Sequence, residues 1–257
     1  MFEKFLPRHL EIIYQINHFF LQKVTGLYPG DMNKLSRLSL IGEEGGKRVR
    51  MAPLAILGSH SVNGVAQLHS KLIKEKLVPD FYQIFPERFN NKTNGITQRR
   101  WLLKSNPLLA GLLTDAIGDG WIKRLDELKK LEKYSDDHSF LQTLYDVKYR
   151  NKIIFSNYCK KKWGFHIDPD TIFDVQVKRI HEYKRQLLNI LHIISLYNRV
   201  RSGDIIQPRT FIFSGKAAPG YEAAKLIIKL ICNISQVING DKSIQGQIKV
   251  FFLPNYS

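Results

Sequence analysis

Apolar positions in this chain recur every three to four residues over most of its first part, and near Thr171 the pattern changes to strands and helices in alternation, the first strand with apolar residues at Phe173, Val175 and Val177. Pro7 opens a helix predicted over residues 8–24, with Leu10, Ile13, Ile16, Phe20 and Leu21 on one stripe. Tyr28-Pro29-Gly30-Asp31 reads as a turn and Gly42-Glu43-Glu44-Gly45-Gly46 as a flexible loop. The short apolar run 51–57 favours a buried strand, although Pro53 counts against it, and 62–74 reads as a helix. The polar stretch Phe89 to Thr97 is turn-prone, contains Gly95 and separates two differently patterned parts. By itself it is a linker or an exposed loop. Amphipathic helices are predicted over 107–117, 125–131 and 139–162, the last ending on a solvated Lys160-Lys161-Lys162.

Beyond Thr171 the order becomes strand (171–177), helix (183–199), strand (210–213), helix (221–238) and strand (248–253). Alternation of this kind predicts crossover units and a parallel sheet, hence an α/β fold. In the first of these helices Leu187, Ile190, Leu191, Ile194 and Tyr197 form one stripe. Leu188, Ile193 and Leu196 widen it enough to predict burial nearly all round.

Composition changes this picture in two places. At 257 residues, with 44% hydrophobic and 24% charged residues, the chain can hold one large domain or two smaller ones. A net charge of +16 admits nucleic acid, an acidic membrane or phosphorylated molecules as partners. The basic residues are spread among apolar periodic segments rather than gathered in an arm, which points away from nucleic acid and from membranes. Cys159 and Cys232 stand far apart without metal spacing, so reduced thiols in a cytoplasmic protein are expected. Met1 to His9 lacks the apolar centre of a signal peptide. His60 and His69 have no second ligand at metal spacing, and no metal is assigned.

Candidate chemistry concentrates where the first strand of the second part ends, in Lys178-Arg179-Ile180-His181-Glu182-Tyr183-Lys184-Arg185. A cationic turn between a strand end and a helix start is suited to anions, because free amides and the positive helix end face the ligand. A solvated basic face is the bland alternative, and it suits Lys184-Arg185 better than Lys178 and Arg179, which close a half-buried strand. Spacing alone leaves both readings open. Gly215-Lys216-Ala217-Ala218-Pro219-Gly220 is a second phosphate-cradling turn in outline, but it has the spacing of neither a P-loop nor a dinucleotide fingerprint.

The segment Val175-Gln176-Val177-Lys178-Arg179-Ile180-His181-Glu182-Tyr183-Lys184-Arg185-Gln186-Leu187-Leu188-Asn189 resembles the signature of the glycogen (α-glucan) phosphorylases. Further matches follow in the order that family would give. They are Leu6 to Tyr14, Gly58-Ser59-His60-Ser61-Val62-Asn63-Gly64-Val65-Ala66, Asn91-Lys92-Thr93-Asn94-Gly95-Ile96-Thr97, Arg99-Arg100-Trp101-Leu102, Gly215 to Tyr221, and Phe252-Leu253-Pro254-Asn255-Tyr256. Gln98 stands where the family has proline, which predicts a looser backbone there, and Ser214 where it usually has glycine.

The resemblance implies phosphorolysis of terminal α-1,4-linked glucosyl units of glycogen, starch or maltodextrin to glucose 1-phosphate. It also implies pyridoxal 5′-phosphate as cofactor, working through its phosphate group. By motif position, Arg179 and Lys184 would hold the substrate phosphate and Lys178 the cofactor phosphate. His60, Asn94 and Tyr183 would contact sugar hydroxyls, and Trp101 and Tyr256 would lie beside the cofactor. Without the resemblance, Trp101 would read as core. Two phosphates held close together need dense cationic compensation, which accounts for the composition of the turn.

On this resemblance, residues 1–93 correspond to the helical C-terminal part of one Rossmann-like domain and residues 94–257 to the beginning of a second, with a parallel sheet. The family's glycine-rich loop would precede Met1, and its Schiff-base lysine would lie beyond Ser257, a role that neither Lys216 nor Lys249 fills. The isolated polypeptide is therefore expected neither to retain cofactor covalently nor to turn over, and to leave apolar faces and a sheet edge open. Expected partners are inorganic phosphate, glucose 1-phosphate and α-glucan, with a second copy or complementing phosphorylase segments beside them. The alternatives are a non-catalytic phosphate- or sugar-phosphate-binding module and the remnant of a disrupted gene.

Overall fold

The computed structural model describes residues 2–255. The chain forms two compact units, residues 1–96 and 97–257, each with its own core. In the first unit α1 (Phe2–Phe5) leads into α2 (Pro7–Leu27), which buries Ile13, Phe20 and Val24. Pro7 takes the first helical turn, where its missing N–H costs nothing. Asp31 caps α3 (Met32–Leu38) by accepting the Lys34 N–H at 2.9 Å. The glycine-rich loop connects β1 (Ile41–Gly42) to β2 (Arg48–Val49), an antiparallel pair. The remaining elements are α4 (Met51–Gly58), β3 (Val62–Gly64), α5 (Gln67–Leu72), α6 (Pro79–Ile84) and β4 (Phe89–Asn91). A π-type turn, Ile73–Leu77, follows α5. β3 and β4 pair in parallel, with Val62 opposite Phe89 and Gly64 opposite Asn91.

Three expectations fail in this unit. Phe89–Asn91, expected within a linker or exposed loop, form β4, and Phe89 is buried. Residues 51–58 form a helix rather than a strand, because Pro53 falls in its first turn, where backbone N–H groups lack intrahelical partners anyway. The helix predicted from Val62 begins only at Gln67. Val62 to Gly64 extend instead to pair with β4, a partner 27 residues away in register that local periodicity does not reveal.

In the second unit Asn106 and Asp137 cap α7 (Pro107–Ile117) and α8 (His138–Trp163), accepting the N–H of Leu109 and of Phe140. Gly164 ends α8 in the left-handed region, at φ 73. The helix predicted over 125–131 is a run of 3₁₀ turns, Leu125–Tyr134. A sheet of β5 (Ile172–Val177), β6 (Arg209–Ser214) and β7 (Ile248–Leu253) follows, parallel throughout and in the order β5-β6-β7. α9 (Gln186–Arg201) connects β5 to β6, and α10 (Glu222–Gly240) connects β6 to β7.

Alternation along the strands sorts their side chains into two layers. Phe211, Phe213, Ile248 and Val250 face α9 and α10, meeting Ile190, Ile193, Ile227 and Ile231. Ile212, Phe251 and Leu253 face the other way, against Cys159 and Phe155 of α8. The fold is therefore mixed α/β with parallel sheets.

α9 is not buried all round. Ile190, Ile193 and Val200 are covered, whereas Leu187, Leu188 and Leu191 are exposed, Leu188 to 57%. Val175 on β5 is 56% exposed, and with Val177, Phe173 and Leu253 it borders an open hollow of about 440 Å³. β5 pairs only with β6 among the described residues, so one of its edges and the adjoining apolar faces lack cover. No helix among the described residues is long and apolar enough to cross a membrane.

Candidate phosphate site

Because the strands of the second unit are parallel, their carboxyl ends lie together, where open α/β sheets carry ligand sites. The basic turn leaves β5 at this end, and the Gly215–Gly220 turn leaves β6 beside it. Strand pairing continues into both, with the Lys178 N–H on the Ser214 carbonyl at 3.0 Å and the Ile180 N–H on the Lys216 carbonyl at 3.2 Å. Ile180 is buried in the core and anchors the turn. Gly215 allows this approach, since a Cβ there would overlap the Lys178 carbonyl oxygen. Ser214 is buried, and its hydroxyl donates to the Leu253 carbonyl at 2.8 Å, so it fits this place as a satisfied polar group.

The predicted helix start moves. Glu182–Lys184 form one 3₁₀ turn, Arg185 adopts a left-handed conformation (φ 62, ψ 31), and α9 begins at Gln186 without a side-chain cap. A non-glycine residue persists there only where its surroundings hold it. Lys178, Arg179 and Tyr183 are exposed and Lys184 is half-buried, its ammonium 4.6 Å from the centre of the Tyr183 ring. No salt bridge among the described residues engages Lys178, Arg179 or Lys184. Glu182, the one acid in the turn, instead accepts the Tyr221 hydroxyl at 2.5 Å, which raises the phenol pKa. The turn therefore offers uncompensated cations to an anion.

The other predicted residues stand on other elements. Trp101 is 70% exposed, so its reading as core fails, and its indole stands on a π-type turn, Arg99–Lys104. Gln98 takes a φ of −63, which proline would also impose. Its side-chain amide donates to the Ile122 carbonyl at 3.1 Å, a contact that proline could not make. In the first unit Asn94 lies beyond the end of β4, with its N–H on the Val65 carbonyl at 3.0 Å, and its side chain is exposed. His60, also exposed, precedes β3. Since β3 and β4 are parallel, His60 and Asn94 flank opposite ends of the pair. Tyr256 lies outside the described residues.

A hollow of about 820 Å³ in the first unit contains none of the predicted residues. Two of its cations are already committed: Arg50 donates to the carbonyls of Ser36, Arg37 and Ser39 at the end of α3, and Arg37 pairs with Asp80. No group of three or more His, Cys, Asp or Glu among the described residues could hold a metal ion. Sequence reasoning missed the neutral residues around the basic turn, Gln176, Gln186, Asn189 and Tyr221, because amides and phenols carry no charge signal.

The profile of the carbohydrate phosphorylase family matches residues 1–257. The glycogen phosphorylase of Synechocystis sp. is 54% identical over 259 residues, covering 100% of this chain and 30% of that protein. The liver form of Bos taurus is 52% identical over 99% of this chain and 30% of its own length. The muscle form of Oryctolagus cuniculus is 50% identical over 100% of this chain and 31% of its own length. The chain thus spans about 30% of the length of the curated relatives it matches.

Proposed function

The chain belongs to the carbohydrate phosphorylase family, and from that premise we propose that it is the part of an α-glucan phosphorylase that carries the phosphate-holding turn. The reaction is transfer of a terminal glucosyl unit from glycogen or maltodextrin to inorganic phosphate, giving glucose 1-phosphate. One observation carries this reading: Lys178, Arg179 and Lys184 have no acidic partner among the described residues and stand on a turn at the carboxyl end of a parallel sheet. Arg179 offers a planar fork to the substrate phosphate and Lys184 a compact charge. The Tyr183 phenol and the Asn94 amide can each donate to and accept from a sugar hydroxyl.

The residues present also fit the family's cofactor, pyridoxal 5′-phosphate. Lys178 is an exposed cation suited to a phosphate ester, and the exposed indole of Trp101 is available to stack. When bound, the cofactor supplies a phosphate that exchanges a proton with the substrate phosphate. Lys178 then neutralises one phosphoryl group while Arg179 and Lys184 neutralise the other, which lowers the repulsion between two close anions. We assign residues 1–93 to the end of one Rossmann-like domain and 94–257 to the start of the next, in a cytoplasmic enzyme.

Titration of the chain with inorganic phosphate or glucose 1-phosphate tests the reading. Saturable binding that is lost in Arg179→Ala is expected, and absence of saturation refutes it. Turnover is a separate matter. A purified chain that releases no glucose 1-phosphate from maltoheptaose above a cofactor-free control, yet binds phosphate, would fit a part that needs the rest of a phosphorylase or a non-catalytic binding module.

A further inference from the structure

The basic turn owes its shape to uncharged side chains. Gln186, the first residue of α9, is fully buried, and its amide spans the turn. Its Nε2 donates to the Arg179 carbonyl at 3.1 Å, and its Oε1 accepts the His181 N–H at 3.4 Å. Gln176, half-buried on β5, makes the matching contact on the other side. Its Nε2 donates to the Lys184 carbonyl at 3.1 Å, while its Oε1 accepts Asn189 Nδ2 at 2.9 Å. The carbonyls of the two residues assigned to the substrate phosphate are thus each held by a glutamine amide.

The Lys184–Arg185 peptide shows why holding is needed. It leads into the left-handed Arg185, a conformation that relaxes unless over-determined. Both of its polar ends are engaged, the carbonyl by Gln176 and the N–H by the Glu182 carbonyl at 3.0 Å. Resting on the functional reading above, we propose that Gln186 and Gln176 are positioning residues for phosphate binding, fixing the backbone from which Arg179 and Lys184 project without touching the anion. Asn189 orients the Gln176 amide by occupying its oxygen, which leaves the NH₂ for Lys184.

The test uses the whole chain, inorganic phosphate as probe, and the variants Gln186→Met and Gln176→Met. Methionine keeps the volume of glutamine, brings no charge near the anion, and removes both bonds at each position. Each variant should bind phosphate at least about ten-fold more weakly, since one lost bond is worth about that factor. Hydrogen exchange should speed up across residues 178–185 more than in the sheet. The affinity loss from Gln176→Met should also vanish in a Lys184→Ala background, and a general loss of fold would not produce that result. Faster exchange with unchanged affinity, or unchanged exchange, overturns the proposal and leaves the functional reading standing. Failure of the unaltered chain to bind phosphate overturns the functional reading itself, and the positioning role with it.

Discussion

Gly215→Ala probes the contact between the two turns with a single methyl group. An added Cβ would lie 2.9 Å from Ile180 Cδ1 and 3.1 Å from the Lys178 carbonyl carbon, and would overlap the Lys178 carbonyl oxygen. Carbon atoms in ordinary contact sit about 3.5–4.0 Å apart, so these neighbours must retreat by roughly 0.5–1 Å. Ile180 cannot retreat inward, because it already packs in the core with Ile190 and Phe213. Lys178 can move outward only by straining its N–H bond to Ser214. Overpacking of this kind costs about 1–3 kcal/mol, and a displacement that breaks one bond to a charged ligand weakens binding about ten-fold or more. The control is Gly220→Ala in the same turn, where a Cβ would meet nothing within 4 Å. Urea unfolding followed by circular dichroism, with phosphate titration by calorimetry, reads both effects. If Gly215→Ala matches Gly220→Ala in midpoint and affinity, the close approach is not what sets the position of the basic turn that begins at Lys178.

Three further outcomes follow from the same reasoning. Gly64→Ala should destabilise the first unit by about 1–3 kcal/mol in urea, since its Cβ would lie 2.6 Å from the backbone nitrogen and Cα of Ser70. Leu188→Lys and Val175→Lys should reduce self-association in light scattering at little cost in stability, because both side chains are exposed on uncovered apolar faces. Asp241 accepts from the Ser243 hydroxyl and backbone N–H and from the Tyr197 hydroxyl, and its pKa is lowered to about 2. Its contribution to stability is therefore complete above the ordinary carboxylate range and is lost as pH falls through about 2. The urea midpoint of Asp241→Asn should fall less between pH 5 and pH 2.5 than that of the unaltered chain.

Much of the second unit was legible from local pattern. The three strands and the helices between them fall within a few residues of their predicted places, because β5 alternates, β6 and β7 are short continuous apolar runs, and each helix carries a stripe. The first unit was less legible. Met51–Gly58 is short and apolar throughout, so no period separates helix from strand, and Val62–Gly64 is a strand only because β4 lies beside it. Local pattern also names the cations of the basic turn, since charge is a property of residue type.

The amino-acid order by itself therefore determined which segments could be helix or strand, where positive charge gathers, and to which family the chain is related. Tertiary structure alone decided that Arg185 breaks the helix, that Leu187, Leu188 and Leu191 face outward, and that Gln176 and Gln186 hold the turn. Periodicity reports that a face is apolar but not what covers it. A neutral amide becomes informative only when the chain brings a distant carbonyl within 3.1 Å of it.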